Sequence, residues 1–179
     1  MKIYINAAHK PCSPGAVFMG RNEHQDILSF CRLLCSRLER AGFLYEMFSG
    51  YEMTDAEADD IVLIFHRDTS YKNAVSDGAS AVVSCDAAAE IQYEAFCMLE
   101  TVTKASGFRY RGVHTLTNSY PHMFIEKTGV KRTFLFNLGF IESEKDNSLF
   151  DCRKKEIADA LAKKISEIYM KERINEDYS

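Results

Sequence analysis

The run at residues 61–65, IVLIF, is the feature that most restricts the fold of this chain. Five consecutive apolar residues without alternation predict a strand that is buried on both faces, as in a parallel sheet covered on both sides. The flanking sequence fits such a sheet, because residues 23–41 and 86–104 carry apolar side chains at the spacing of a helix. A strand of this kind between two helical segments predicts an α/β architecture.

Short apolar runs and helical segments alternate along the whole chain. Strands are predicted at 3–5, 43–48, 61–65, 79–84, 113–117 and 132–138, helices at 23–41, 86–104 and from Asn147 onward, and a helical turn at 121–128. This order predicts one α/β domain over residues 1–179, a three-layer sandwich whose mostly parallel sheet has about six strands and helices on both faces. Cys31 and Cys35 fall on one helix face, and we expect all six cysteines to be reduced.

The overall charge restricts the class of partner. The formal net charge of the chain is −4 over 179 residues. Nucleic acids and anionic membranes reward a basic face, so this charge argues against both as the main partner. A small ligand or a neutral polymer fits better.

Polar residues recur where the predicted strands end. Asn6 and His9 follow the first strand, His66 closes the IVLIF run, and Asn137 closes the last strand. In an open α/β sheet, ligands bind at the carboxyl ends of the strands. We therefore expect these side chains to lie on one edge of the sheet.

A carboxylate is predicted at the same edge. Asn22 is a plausible N-cap of the first long helix, and Gln25 stands three residues later as in a capping box. Glu23 then lies in the first turn of that helix. The start of the helix that follows the first strand faces the same edge of the sheet.

Two imidazoles and one carboxylate are the ligand set of an open catalytic zinc site, so His9, Glu23 and His66 are candidate metal ligands. Each residue also has a plain structural explanation. A histidine that closes an apolar strand is often part of the core, and a glutamate in the first helical turn often only complements the helix dipole. Arg67 and Asp68 fit a surface ion pair equally well. The conjunction of the three residues favours a metal site.

Six stretches resemble a known family in their order: INAAHKPCSPGA, RNEHQDILSF, ADDIVLIFHRD, RGVHTLTN, FLFNLGFIES and the terminal DALAKKI. They resemble the zinc-dependent N-acetylmuramoyl-L-alanine amidases of the type-3 class, which includes sporulation and phage lytic enzymes. The resemblance spans almost the whole chain. It implies Zn²⁺ held by His9, Glu23 and His66, and hydrolysis of the amide that joins the lactyl group of muramic acid to L-alanine in peptidoglycan.

One departure from the family concerns the catalytic step. The family has a general-base glutamate where this sequence has Asn137, and an amide is neither a base nor an acid near neutral pH. General acid–base groups contribute roughly 10²–10⁴ in rate, so activity is expected to be reduced. Glu142 is a weak candidate substitute, as is Glu144. The first loop also departs from the family, because alanines precede His9 and Lys10 follows it where glycines are usual.

Three functions therefore stay open. The first is an impaired zinc amidase, and the second is a catalytically silent relative that binds zinc, muropeptide or a protein partner. The third is a zinc hydrolase that acts on another amide. His114, in the stretch RGVHTLTN, is a candidate substrate contact, Asn6 is a weaker one, and His122 is a further unassigned imidazole.

The resemblance also implies partners and a location. Peptidoglycan or muropeptide is the expected partner, with no nucleic acid and no membrane insertion, and no cell-wall-binding module is expected within residues 1–179. The start MKIYINAAHK is too short for a signal-peptide core, and no stretch approaches the ~20 apolar residues that span a bilayer. We expect a cytoplasmic protein as synthesised, which reaches the cell wall only by a non-classical or lysis-dependent route.

Overall fold

The fold is that of an α/β sheet protein, in a computed structural model that describes residues 1–50, 56–70, 76–115 and 125–176, with side chains through residue 170. The strands are β1 Ile3–Ala7, β2 Val17–Phe18, β3 Arg21–Asn22, β4 Tyr45–Ser49, β5 Ile61–Asp68, β6 Ala79–Val83, β7 Tyr110–Thr115 and β8 Arg132–Phe140. The long helices are α1 Glu23–Arg40, α2 Ala89–Ser106 and α3 Glu144–Glu176. Among the described residues, none of the helices combines the length and apolarity that a bilayer crossing requires.

The main sheet has six strands in the order β4-β1-β5-β8-β6-β7. Neighbouring strands are parallel except β6 and β8, which are antiparallel. The predicted α/β fold, with a mostly parallel sheet of about six strands flanked by helices, is confirmed. Because β6 runs against β8, its first residues lie at the edge where β8 ends.

The core lies on both faces of this sheet. Leu63 and Phe65 point to the face covered by α1, α2 and α3, where the Phe65 and Phe136 rings stack at 5.7 Å between centroids. Val62 and Ile64 point to the other face and pack with Ile125, Val130 and Leu135. All five side chains of the IVLIF run have no exposed area, as predicted. Each such burial contributes roughly 1.5–3 kcal/mol.

The three long helices share one face of the sheet. On the other face, the described cover includes a short helical turn at 125–127, within the turn predicted at 121–128, and Ala56. Residues 121–124 of that predicted turn lie outside the described ranges. Cys31 and Cys35 are buried on the inward side of α1, and all six cysteines are free.

Two strands extend further than the sequence predicts. β5 continues to Asp68 and β8 to Phe140, so His66 and Asn137 lie within strands instead of at their ends. A register shift separates His66 from Asp68, and Gly139 has a φ of 79°, a conformation that suits glycine. The strands remain hydrogen-bonded to each other beyond His66 and Asn137, because the backbone hydrogen bonds of a sheet do not depend on side-chain polarity.

The start of α1 follows the predicted cap. The Asn22 side chain accepts a hydrogen bond from the Gln25 backbone N–H at 2.9 Å. A two-stranded hairpin of β2 and β3, which is not among the predicted strands, leads directly into this cap. Its turn holds Met19 at φ 47° and Gly20 at φ 80°.

A residue in the first turn of α3 is hydrogen-bonded to the backbone at the start of β6 and at the end of β8. Asp146 is fully buried, and one of its carboxylate oxygens accepts hydrogen bonds from the backbone N–H groups of Gly78 (2.9 Å) and Phe140 (2.8 Å). The first residues of β6 and the last residues of β8 are thereby fixed to one helix. The same edge of the sheet carries His66 of β5 and Asn137 of β8.

Candidate metal centre

His9, Glu23 and His66 lie together, with one possible ligand atom from each within 4.8 Å of the others. His9 Nε2 is 3.0 Å from Glu23 Oε2, and His66 Nδ1 is 2.7 Å from Glu23 Oε1. The two imidazole rings are 5.3 Å apart between centroids and nearly perpendicular, at 85°. The residues predicted as metal ligands thus share one cluster, and metal binding by them stays a prediction.

Each of the three residues reaches the cluster from a different element. Glu23 is the first residue of α1, His66 lies in β5, and His9 follows β1 by two residues. His9 has a φ of 67°, in the left-handed region that residues other than glycine rarely adopt. Such strained residues are concentrated at functional sites.

The Glu23 carboxylate is the centre of the cluster. Besides both imidazoles, it accepts hydrogen bonds from the backbone N–H of Ala16 and from that of Arg67, each at 3.1 Å. Only 3% of Glu23 is exposed. Burial by itself raises the pKa of the carboxyl group, but the hydrogen bonds and charges of His66 and His9 outweigh it, so the pKa lies well below its usual range. The group is therefore ionised at neutral pH.

The cluster fits zinc in its donor chemistry. Two imidazole nitrogens and one carboxylate oxygen are donors that suit Zn²⁺, whereas Mg²⁺ and Ca²⁺ prefer all-oxygen sites. Ligands at ~2.0–2.1 Å from a tetrahedral ion lie roughly 3.3 Å apart. The two imidazole nitrogens lie 3.0 Å and 2.7 Å from Glu23, each from a different carboxylate oxygen, and both separations are near that distance. A three-ligand set leaves one coordination position open.

Gly15 makes room for the cluster. It has a φ of 75°, and a Cβ at this position would lie 2.5 Å from both Glu23 Oε2 and His9 Nε2. Any side chain here would overlap the carboxylate and the imidazole. The loop between β1 and β2 thus holds a glycine against the proposed ligands.

Asn137 is the direct neighbour of His66 in the sheet. The two residues are paired in the register of β5 and β8, so their side chains point to the same face. Asn137 is also paired with Ser80 of β6, and its Nδ2 donates a hydrogen bond to Ser80 Oγ at 3.2 Å. The amide therefore lies in a row between an imidazole and a hydroxyl.

The structure does not place Asn6 where a substrate can reach it. Asn6 is fully buried, and its Nδ2 donates a hydrogen bond to the carbonyl of Gly50 at 2.6 Å. A substrate contact by Asn6 stays a prediction, and it would require this buried side chain to become accessible. The side chain joins β1 to the residue that follows β4.

The remaining candidates lie apart from the ligand set. Glu142 is half-buried in the turn after β8 and accepts a hydrogen bond from the Ser70 backbone N–H at 3.3 Å. Glu144 is exposed at the start of α3. His114 is exposed on the edge strand β7, where it is paired with Val82. His122 lies outside the described residues.

Arg67 and Asp68 do not form a surface ion pair. The Arg67 side chain is fully buried and pairs with Asp26 of α1 at 2.8 Å. Burial lowers the pKa of Arg67 to about 10, with Asp26 opposing the shift, so the guanidinium stays charged at neutral pH. Local sequence gives no sign of this burial, because the partner lies 41 residues away.

Asp68 is a carboxyl group near the cluster that the sequence suggests only as a partner of Arg67 in an ion pair. It is half-buried two residues after His66, and its Oδ1 accepts a hydrogen bond from the Thr69 backbone N–H at 2.9 Å. Burial raises the pKa of Asp68, while that hydrogen bond and the charges of Arg111 and His66 act in the opposite direction. Its position two residues after the second histidine is the signal that points to it.

Comparisons with known proteins support the fold by shape and not by sequence. No protein-family model matches the chain, and no curated protein sequence matches it. The structure is similar to that of an N-acetylmuramoyl-L-alanine amidase from Clostridium difficile 630, with 12% identity, a TM-score of 0.76, and coverage of 93% of this chain and 95% of the other.

Two further solved structures agree. One is the CwlD amidase of Clostridioides difficile in complex with the GerS lipoprotein, with 16% identity, a TM-score of 0.75, and coverage of 93% and 96%. The other is the catalytic domain of CwlV, an N-acetylmuramoyl-L-alanine amidase from Bacillus (Paenibacillus) polymyxa var. colistinus, with 20% identity, a TM-score of 0.71, and coverage of 93% and 97%. These similarities establish a shared fold.

The first prediction concerns Gly15. Gly15→Ala should weaken zinc binding by at least tenfold, because its methyl group would occupy the space between His9 and Glu23. The matched control is Gly20→Ala, since Gly20 has a similar φ of 80° but no atom within 4 Å of an added Cβ. Zinc affinity measured by competition with a chromophoric chelator distinguishes them. Equal affinities for the two variants would show that the space at Gly15 is not needed.

The second prediction concerns pH and the metal-free protein. Because the folded-state pKa of Glu23 is depressed, its contribution to stability is complete above the unfolded value of about 4.3 and is lost as pH falls below it. Between pH 5 and pH 3, wild-type protein should lose about 1–2 kcal/mol more of its unfolding free energy than Glu23→Gln does. Urea titrations at each pH measure this difference. Parallel losses in the two proteins would contradict it.

Proposed function

We propose that this chain is a zinc-binding protein of the N-acetylmuramoyl-L-alanine amidase type that acts on peptidoglycan, with hydrolysis slowed by Asn137. The observation that carries the proposal is the cluster of His9, Glu23 and His66 at the carboxyl edge of the parallel strands. An open two-histidine, one-carboxylate set suits metal-assisted hydrolysis.

The substrate class comes from the structural neighbours. Those described above are named as amidases, two of them as N-acetylmuramoyl-L-alanine amidases, and another of similar fold is the catalytic domain of the CD27L endolysin. The alignments cover 95–97% of these neighbours' chains. That extent supports a single amidase-type domain over residues 1–179. The proposed bond is the amide between the lactyl group of N-acetylmuramic acid and L-alanine.

Within the site, the residues have separate roles in the proposal. His9 and His66 supply neutral nitrogen donors, and Glu23 supplies the negative charge that offsets part of the charge of the ion. When bound, zinc polarises the scissile carbonyl and lowers the pKa of a water molecule. The backbone N–H groups of Ala16 and Arg67 keep the carboxylate in place.

Asn137 limits what the site can do to a bound substrate. Its amide can donate or accept a hydrogen bond at the position beside His66, but it cannot remove a proton from water. The hydrogen bond to Ser80 Oγ holds the amide in one orientation. This arrangement supports binding better than it supports turnover.

A second candidate function follows from the same observation. An amidase-like protein without its proton-transfer group can serve as a binding module for muropeptide or for a protein partner. One structural neighbour, the CwlD amidase, is itself in complex with a lipoprotein. Asn137, which lies beside His66 in the sheet and donates a hydrogen bond to Ser80, is the feature that favours this alternative.

The third prediction concerns zinc content. After dialysis against a weak chelator, wild-type protein should retain about one zinc per chain, and His66→Ala should retain little, because one nitrogen donor is lost. His114→Ala is the matched control, since His114 is an exposed histidine on an edge strand. Metal analysis by mass spectrometry gives the ratio. Wild-type protein without zinc, or an equal loss in both variants, would contradict the proposed site.

The fourth prediction concerns turnover. On purified peptidoglycan, Asn137→Glu should hydrolyse faster than wild type by roughly 10²–10⁴, because the variant supplies the missing proton acceptor. Turbidity loss measures the rate, and mass spectrometry of the products should show free lactyl carboxyl groups and new N-terminal alanines.

The matched control for turnover is Asn137→Gln, which has the length of glutamate without its charge and should stay as slow as wild type. Substantial and equal activity in all three proteins would mean that Asn137 does not limit the rate. In that case Asp68→Asn would test the other nearby carboxyl group. No hydrolysis by any of them, with zinc bound and muropeptide retained on the protein, would favour the binding module.

A further inference from the structure

Arg67 follows the second histidine, and its side chain lies entirely in the protein interior, with 0% exposed. A buried guanidinium is costly unless its charge is paired and its N–H groups find acceptors. Its partners therefore show what keeps it there. They come from three elements: α1, β8 and α3.

The side chain joins these elements at one point. Nη1 pairs with Asp26 Oδ2 at 2.8 Å, and Nη2 donates to Asn147 Oδ1 at 2.6 Å and to the carbonyl of Phe140 at 3.1 Å. Nε faces the carbonyl of Gly139 at 3.4 Å. The guanidinium carbon lies 4.7 Å above the Phe150 ring of α3. Each nitrogen of the group, and one face of it, is thus in contact with another element.

The backbone of the same residue acts on the cluster directly. The Arg67 N–H donates to Glu23 Oε1 at 3.1 Å. The side chain holds Asp26, which lies three residues after Glu23, nearly one turn along the same helix. The backbone N–H of Arg67 therefore holds the Glu23 carboxylate. Its side chain independently holds α1, the helix that carries Glu23, through Asp26.

A second arginine extends this arrangement. Arg21 Nε pairs with the same Asp26 oxygen at 2.6 Å, and its two terminal nitrogens bind Asp151 of α3 at 2.9 Å and 2.7 Å. Asp26 is thus shared by two arginines. The first turn of α1 is fastened to α3 through both.

We propose that Arg67 is a positioning residue of the metal centre: it sets the metal affinity by holding Glu23 in place and by coupling the first turn of α1 to α3. The inference rests on the proposed zinc site and adds a residue that is not itself a ligand. Outer partners of metal ligands commonly contribute 10- to 100-fold in affinity. A merely structural arginine would change stability without changing the geometry of the site.

The test compares Arg67→Met with Arg67→Lys and with Arg132→Met. Arg132→Met is the matched control, because Arg132 pairs with the buried Glu94 of α2 at 3.3 Å and lies at the other end of β8. For each folded protein, zinc affinity is measured by chelator competition, the site geometry by the visible spectrum of the cobalt(II) form, and stability by urea unfolding.

Arg67→Met should bind zinc 10- to 100-fold more weakly than wild type and shift the cobalt bands. Arg67→Lys should recover part of the affinity, because it restores the charge beside Asp26 but not the contacts of the planar group. Arg132→Met should lower the urea midpoint and leave affinity and spectrum as in wild type. Wild-type affinity and spectrum in Arg67→Met would overturn the proposal.

If Arg67→Met does not fold, Asn147→Ala tests the same coupling more gently, because it removes one acceptor of the guanidinium on α3. A zinc affinity at least threefold weaker than wild type supports the proposal, and an unchanged affinity overturns it. Absence of zinc binding by the wild type would overturn both this proposal and the proposed function. If the wild type binds zinc and the variants bind it with unchanged affinity, the positioning role of Arg67 is overturned and the proposed function is not.

Discussion

The buried negative charge of Glu23 is the constraint on which the rest of the site depends. Removing a carboxylate from water is costly unless charges and hydrogen bonds replace the lost solvation. Here two imidazoles and two backbone N–H groups replace it. They belong to the loop between β1 and β2, which carries His9 and Ala16, and to β5, which carries His66 and Arg67. Removing one partner of a buried charge typically costs about 3–5 kcal/mol, so the placement of α1, of this loop and of β5 is linked to one side chain.

The sheet topology explains how distant residues meet at this charge. The parallel strands β1 and β5 deliver their carboxyl ends to one edge, and α1 begins at that edge. The reversed strand β6 contributes differently, because Ser80 comes from its start instead of its end. A prediction that considers only the residues at the carboxyl ends of strands therefore does not include Ser80. Asn137 has one neighbour of each kind, His66 on a parallel strand and Ser80 on an antiparallel one, and it donates a hydrogen bond to Ser80.

Much of the fold was predictable because its signals are local. Adjacent residues alone determine the IVLIF run, the helical spacing of 23–41 and the Asn22 cap. The histidines and Glu23 were predicted from the rule that ligands bind at the carboxyl ends of the strands in an open α/β sheet. What the sequence did not reveal depends on tertiary partners. The burial of Arg67 requires acceptors up to 80 residues away, and the burial of Asn6 depends on the carbonyl of Gly50. The hairpin strands β2 and β3 have two residues each, too few to show a period.

The base and the tip of that hairpin differ in how strongly their contacts constrain them. At its base, the Glu23 N–H donates to the Ala16 carbonyl at 2.9 Å, and the Ala16 N–H donates back to the Glu23 carboxylate. At its tip, 86% of Met19 is exposed. The packing therefore constrains the tip less than the base. Substitutions and insertions at the tip are expected to leave the carboxylate in place, whereas changes at the base would move it.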